Sequence, residues 1–342
     1  MPRSLMSIIF TNFSNMITAK KVGCCLAIIA LSTEINAQKP DYSVVSVPEE
    51  TGNEFVKITK ESDYVCMPIV KRSSTGVSWF TNRVIGVSPD GTELAYISTR
   101  NNSANIFIKD ISKQGASRQR TNRQAVVDFS YSPDGKQICF SENKGKTTQL
   151  FITDARTGYV CRQITSGSQD YSPIFNSAMT QIFFTRSEQK GVSVWGYDVK
   201  NNFLASYTVG MNPVPIKGVN ALFVARQGEK GRGELWEINY DTGTEECILS
   251  DSEHSFYTPQ LSKDGRWLLF TGSSKLVSGN IVYWNTDIYA CRADGTELVQ
   301  LTHHAADDLS PVWSVDGRYI YFISQRGDAQ GTANIWRMTF NY

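Results

Sequence analysis

Hydrophobic residues along this chain fall in short blocks, and each block follows the same punctuation. "SPDGTELAYIS" (88–98) and "SPDGKQICFSE" (132–142) set an apolar run behind a Ser-Pro-Asp-Gly turn. "SKDGRWLLFTG" (262–272) and "SVDGRYIYFIS" (314–324) repeat the arrangement, and "NSAMTQIFFTR" (176–186) keeps it without Asp-Gly. Ser first, Pro second and Gly fourth suit a type I turn that ends on a left-handed residue. Each copy therefore predicts two antiparallel strands joined at that turn. The second strand is apolar at consecutive positions, as in Ile138-Cys139-Phe140, Leu268-Leu269-Phe270 and Ile320-Tyr321-Phe322. A strand with one wet face would alternate, so these strands are expected to be covered on both sides. After residue 40 no long stretch keeps a 3.6-residue period, which predicts almost no helix.

The spacing sets the architecture. Ser88, Ser132, Asn176, Ser262 and Ser314 lie 44, 44, 86 and 52 residues apart. The third interval spans two periods, and "PIKGVNALFVAR" (215–226) supplies the missing copy with its turn eroded. A period in the low forties is one four-stranded blade. A second marker agrees: "NIFIKD", "QLFITD", "SVWGYD", "ELWEIN", "DIYACR" and "NIWRMT" place Phe107, Phe151, Trp195, Trp236, Tyr289 and Trp336 once per repeat. The expected fold is all-β, a six-bladed β-propeller of four-stranded antiparallel blades. The last repeat, ending "NIWRMTFNY", is one strand short, and "EFVKIT" (54–59) matches "ELVQLT" (297–302) of an earlier blade. An N-terminal strand is thus expected to complete the last blade and remove its open edge. Residues 60–87 hold strand-like pieces, "DYVCMPIV" and "VSWFT", without an assigned place.

Charge and the N-terminus narrow the setting. The formal net charge is +1, which asks for neither nucleic acid nor an anionic membrane surface. "KKVGCCLAIIALSTEINAQ" carries two lysines, the apolar run Val22–Leu31 and then Ala37, the order of a cleavable secretory signal too short to span a bilayer. The expected organisation is a signal peptide over 1–37, with Met16 as an alternative start, a linker over 38–53 and the propeller over 54–342. This predicts a periplasmic or secreted monomer with no integral membrane span. The five remaining cysteines, Cys66, Cys139, Cys161, Cys247 and Cys291, form no C-x-x-C motif, so zinc is not indicated. They read as buried free thiols.

The repeats, most clearly "ADGTELVQLTHHAADDLSPVWSVDGRYIYFISQRGDAQGTANIWRM" (293–338), resemble those of the TolB-like, WD-type propeller family over about residues 54–342. The resemblance implies a propeller that binds protein or peptide partners in the cell envelope. It extends to the propeller alone, without the separate N-terminal α/β domain of TolB. Propellers host binders and enzymes alike.

No G-x-S-x-G or H-E-x-x-H motif occurs, so no catalytic set and no cofactor is expected. The three histidines, His254, His303 and His304, fall in connections between adjacent blades, "SDSEHSFYTP" and "THHAADDLSP". With Asp307 or Asp308 they form the one conceivable metal set, the arrangement that oligogalacturonate lyases resemble. The alternative reading is therefore a metal-assisted carbohydrate-active enzyme of that type. Asp170 and Asp308 hold equivalent places, three residues before a proline, and are expected to brace the channel mouth. The insertion "TGSSKLVSGNIVYWNTD" (271–287) is expected to be a loop on the same face, presenting Tyr283 and Trp284, residue types enriched in binding hot spots.

Overall fold

The structure, a computed structural model, describes residues 42–72, 78–80, 83–113, 115–189, 191–278 and 281–342. Strand β1 (Phe55–Lys57) and a ribbon of β2 (Val70–Arg72) with β3 (Ser78–Phe80) precede a regular series of antiparallel groups. The first is β4 (Ile85–Val87), β5 (Glu93–Ser98), β6 (Asn105–Asp110) and β7 (Arg118–Gln119). The second is β8 (Val126–Tyr131), β9 (Gln137–Asn143), β10 (Thr148–Asp154) and β11 (Val160–Gln163). The third is β12 (Gln169–Phe175), β13 (Gln181–Glu188), β14 (Gly191–Asp198) and β15 (Phe203–Val209). The fourth is β16 (Met211–Pro215), β17 (Ala221–Gln227), β18 (Gly233–Asn239) and β19 (Thr244–Leu249). The fifth is β20 (His254–Leu261), β21 (Trp267–Ser278), β22 (Ile281–Arg292) and β23 (Val299–Gln300). The last contains β24 (Asp308–Trp313), β25 (Tyr319–Ser324) and β26 (Asn334–Thr339), and β1 fills its outer position. There Phe55 lies opposite Met338 and Lys57 opposite Trp336. The first strands of successive groups are neighbours, from β4 through β8, β12, β16 and β20 to β24, and β24 lies beside β4.

The recurrent turn forms as its residues dictate. At Ser88, Ser132, Ser262 and Ser314 the hydroxyl donates to the Asp two residues on, at 2.6–2.7 Å. The same oxygen accepts the backbone N–H five residues on, at 2.9 Å. The glycines that close these turns have φ of 72–75°, where a Cβ is penalised. These bonds hold the turn aspartates ionised: Asp264 and Asp316 are drawn down to about 2 by the Ser262 and Ser314 hydroxyls first of all. In the third copy Asn176 replaces Ser, accepting the N–H groups of Thr180 and Gln181, and Met179 takes the left-handed position.

Behind each turn the second strand is buried on both faces: Ile138, Cys139 and Phe140 are fully covered, as are Leu268, Leu269 and Phe270. Residues of one group pack on the next. Cys139, Leu150 and Ile152, for example, share a core with Ile182, Phe184 and Tyr197. Burying side chains of this size contributes roughly 1.5–3 kcal/mol each. Four inner strands carry a bulge that puts a non-glycine residue in the left-handed region immediately before a proline: Ser172, Asn212, Thr258 and Ser310, with φ of 51–52°. A bulge bends its strand and re-aims one residue out of the ladder.

Two expectations are corrected. Residues 271–278 and 281–287 are strand rather than loop, because β21 and β22 stay in register from Trp267↔Arg292 to Ser278↔Ile281. Cys161 and Cys247 are exposed, since they lie on outer strands that have one open side; Cys66, Cys139 and Cys291 are buried. The strand-like pieces in 60–87 now have places. Val65 bridges Ser98, and 70–72 pairs with 78–80.

Candidate binding face

Alternating strand direction brings the connections after the second and fourth strands of every group to one end. The Ser-Pro-Asp-Gly turns lie at the other. The first end carries all eight residues singled out in the sequence, and most are tied into the scaffold. Asp170 is fully buried and accepts both Nε and Nη2 of Arg186, at 2.7 and 3.0 Å, as well as the Ser168 hydroxyl at 2.6 Å. Asp308 is equally buried and accepts Nη2 of Arg326 at 2.5 Å. That guanidinium also binds both oxygens of Glu50, at 3.0 and 3.1 Å, and the Val45 carbonyl at 3.0 Å. Burial pushes the Asp308 carboxyl upward, and Arg326 opposes the shift.

The N-terminal segment that brings Glu50 also fixes the histidines. The Glu50 carboxylate accepts the His303 backbone N–H at 2.9 Å, while the His303 side chain stays exposed. His304 is fully buried. Its Nδ1 accepts the Ala306 N–H at 2.9 Å, so the proton sits on Nε2 and is donated to the Val44 carbonyl at 3.2 Å. This fixes a neutral tautomer, and burial, followed by the nearby Arg326 charge, lowers the pKa below its ordinary value. His254 points elsewhere: Nδ1 meets Asp251 at 2.8 Å and its ring lies edge-on to Tyr289 at 5.7 Å. The three imidazoles do not converge. Among the described residues no three His, Cys, Asp or Glu side chains gather as a metal set. Asp307 is half-buried beside Asp308.

The aromatic residue repeated in each group explains the place of His254. A guanidinium lies over Phe107 (Arg100, 5.0 Å), Phe151 (Arg123, 4.9 Å), Trp195 (Arg186, 4.3 Å) and Trp236 (Arg226, 5.0 Å). Such contacts contribute about 0.5–2 kcal/mol. In the fifth group Gly272 stands where Arg186 and Arg226 stand, and the His254 ring approaches Tyr289 instead. A Cβ on Gly272 would fall 2.5 Å from the Tyr289 ring. In the last group Arg326 lies over Phe55 and Phe322, at 4.3 and 5.2 Å. His254 thus occupies a packing position.

Tyr283 and Trp284 are half-buried on β22, opposite Leu276 and Lys275, where the β21–β22 hairpin runs past its neighbours. Glu50 and Arg326 were not legible as site residues. They sit 276 positions apart, and only the docking of the N-terminal segment joins them.

Residues 71–242 match the TolB beta propeller domain, and the chain belongs to that family. Over 170 residues it is 24% identical to the Tol-Pal system protein TolB of Desulfosudis oleivorans, a match covering 46% of this chain and 36% of that protein. The matched region is therefore about a third of the relative's length. TolB from Acinetobacter baumannii superposes with a TM-score of 0.53 and 14% identity, covering 75% of this chain and 63% of that one. Oligogalacturonate lyase from Vibrio parahaemolyticus gives 0.57 at 11% identity, covering 85% and 95%. Both likenesses are of fold.

Proposed function

We propose that this chain is an exported, non-catalytic six-bladed propeller, closed by β1, that binds a protein or peptide in the cell envelope as a monomer. The N-terminal 37 residues act as the signal and 38–53 lead into the propeller. Membership of the TolB propeller family supports the reading, and one observation carries it. Asp170, Asp308 and His304 at the candidate face are committed to buried ion pairs and backbone bonds, and His254 is held by Asp251, whereas catalysis needs an acid or base free to reach substrate. Tyr283 and Trp284, on the projecting hairpin, form the contact surface. Purified protein and a Tyr283→Ala/Trp284→Ala variant, immobilised side by side in envelope extract, test this. A polypeptide retained by the first and lost from the second is expected; equal retention by both contradicts it.

The second reading, a metal-assisted lyase, draws on the fold likeness to oligogalacturonate lyases. It would need His254, His303 and His304 to move together around a cation. Incubation with manganese and oligogalacturonate separates the two, because unsaturated products would appear only for the lyase.

A further inference from the structure

We propose that the propeller axis carries a site for one small monovalent anion, a halide or a short carboxylate, held by the guanidinium of Arg83. Arg83 immediately precedes the inner strand β4 and is 5% exposed. Its Nη2 donates to the carbonyl of Pro213, on the inner strand β16 three groups further on, at 3.0 Å. Its own carbonyl accepts the Phe129 N–H of the inner strand β8. One side chain therefore reaches across the centre of the ring of inner strands. Nε and Nη1 find no acceptor, leaving three buried N–H bonds unused. No carboxylate lies within 4.0 Å of it among the described residues.

No carboxylate of the described residues is in contact with this cation, and Asp128 favours its charge only from further off. Asp128, the acid whose charge Arg83 feels, is bound to the Ser141 hydroxyl and to the Ser172 N–H at 2.7 Å. A buried guanidinium without a contact partner is costly, and burial is what draws Arg83 down to about 10. From Tyr64 to Pro89 the chain contains Lys71, Arg72 and Arg83 and no acid. Before Arg83, Met67 packs against both the core of the first two groups and that of the fourth and fifth, and β3 lies beside β20. An anion at Arg83 would accept the unused N–H bonds and offset the buried charge in one step.

The test uses the intact protein in sodium gluconate, a bulky reference anion, against sodium chloride and sodium formate at matched ionic strength. The melting temperature is expected to rise saturably with chloride or formate, and the rise to vanish in Arg83→Met. Whichever of the two acts at lower concentration identifies the ligand as halide or carboxylate. Crystals soaked in bromide should show an anomalous peak at hydrogen-bonding distance from Arg83. An equal response of both proteins, or water alone beside Arg83 in the bromide crystals, overturns the proposal. If Arg83→Met does not fold, the bromide peak decides. Neither result depends on the identity of an envelope partner.

Discussion

Glycines of equal φ but unequal surroundings measure how closely successive blades approach. Gly265 and Gly317 close their turns with φ of 75° and 72° and have nothing within 4 Å of an added Cβ. Gly135, with φ 72°, would meet Pro89 at 3.5 Å, an ordinary contact. Alanine at these three sites should lose only the left-handed penalty, about 1–2 kcal/mol. Gly158 has φ 75°, but its Cβ would lie 1.7 Å from the Arg120 carbonyl oxygen of the preceding group. Gly295, with φ 83°, would lie 2.1 Å from the Ile248 carbonyl oxygen in the same relation. Backbone cannot swing aside as a side chain can, so Gly158→Ala and Gly295→Ala must push adjacent sheets apart and should cost well over 3 kcal/mol. At about 2–4 °C per kcal/mol, thermal melts should show small losses for the first three and a loss at least twice as large for the other two. Five equal losses would refute the close packing of adjacent groups.

Glu50→Gln leaves Arg326 buried with one carboxylate partner and should cost about 3–5 kcal/mol, read by chemical denaturation; deletion of 38–59 should add aggregation through the bared edge of β26. Burial moves the Asp128 carboxyl up to about 7. The folded protein then holds a proton that the unfolded chain has lost, so this group's contribution falls as pH rises from about 4 to 7. Asp128→Asn should lack that decline, and the difference between its melting temperature and that of the wild type should level off above pH 7. His304 acts in the opposite sense: its lowered pKa means stability is lost as pH falls through 6.5 and below, a loss that His304→Gln should not show. Tyr283→Ala/Trp284→Ala should weaken binding of the recovered envelope polypeptide by about 2 kcal/mol or more, read as a loss of affinity.

The repeat was legible because one local turn carries it. Ser, Asp and Gly satisfy each other within five residues, and the apolar strand behind them has no wet face to encode. The pairing of "EFVKIT" with the final strand was legible for a similar reason, since equivalent strands in equivalent places keep similar sequences. The paired ends of β21 and β22 were not legible because the serines and lysine of 271–287 suggested a loop. In the sequence the Gly-Asn pair at 279–280 is a two-residue turn signal that pointed to a hairpin. The roles of the histidines were hidden for another reason. A lone His near aspartates reads as a ligand, and only the tertiary contacts with Val44, Ala306 and Tyr289 assign it to packing. Arg83 and Arg326 gave no local signal at all, because their partners lie on distant strands.

Photo-crosslinking from position 283 in intact cells tests the binding-module reading most directly, with the same crosslinker at Lys136 on the opposite, exposed turn as control. The account predicts one discrete adduct with an envelope polypeptide from position 283 and none from position 136. No adduct from position 283, or the same adduct from both positions, would contradict it.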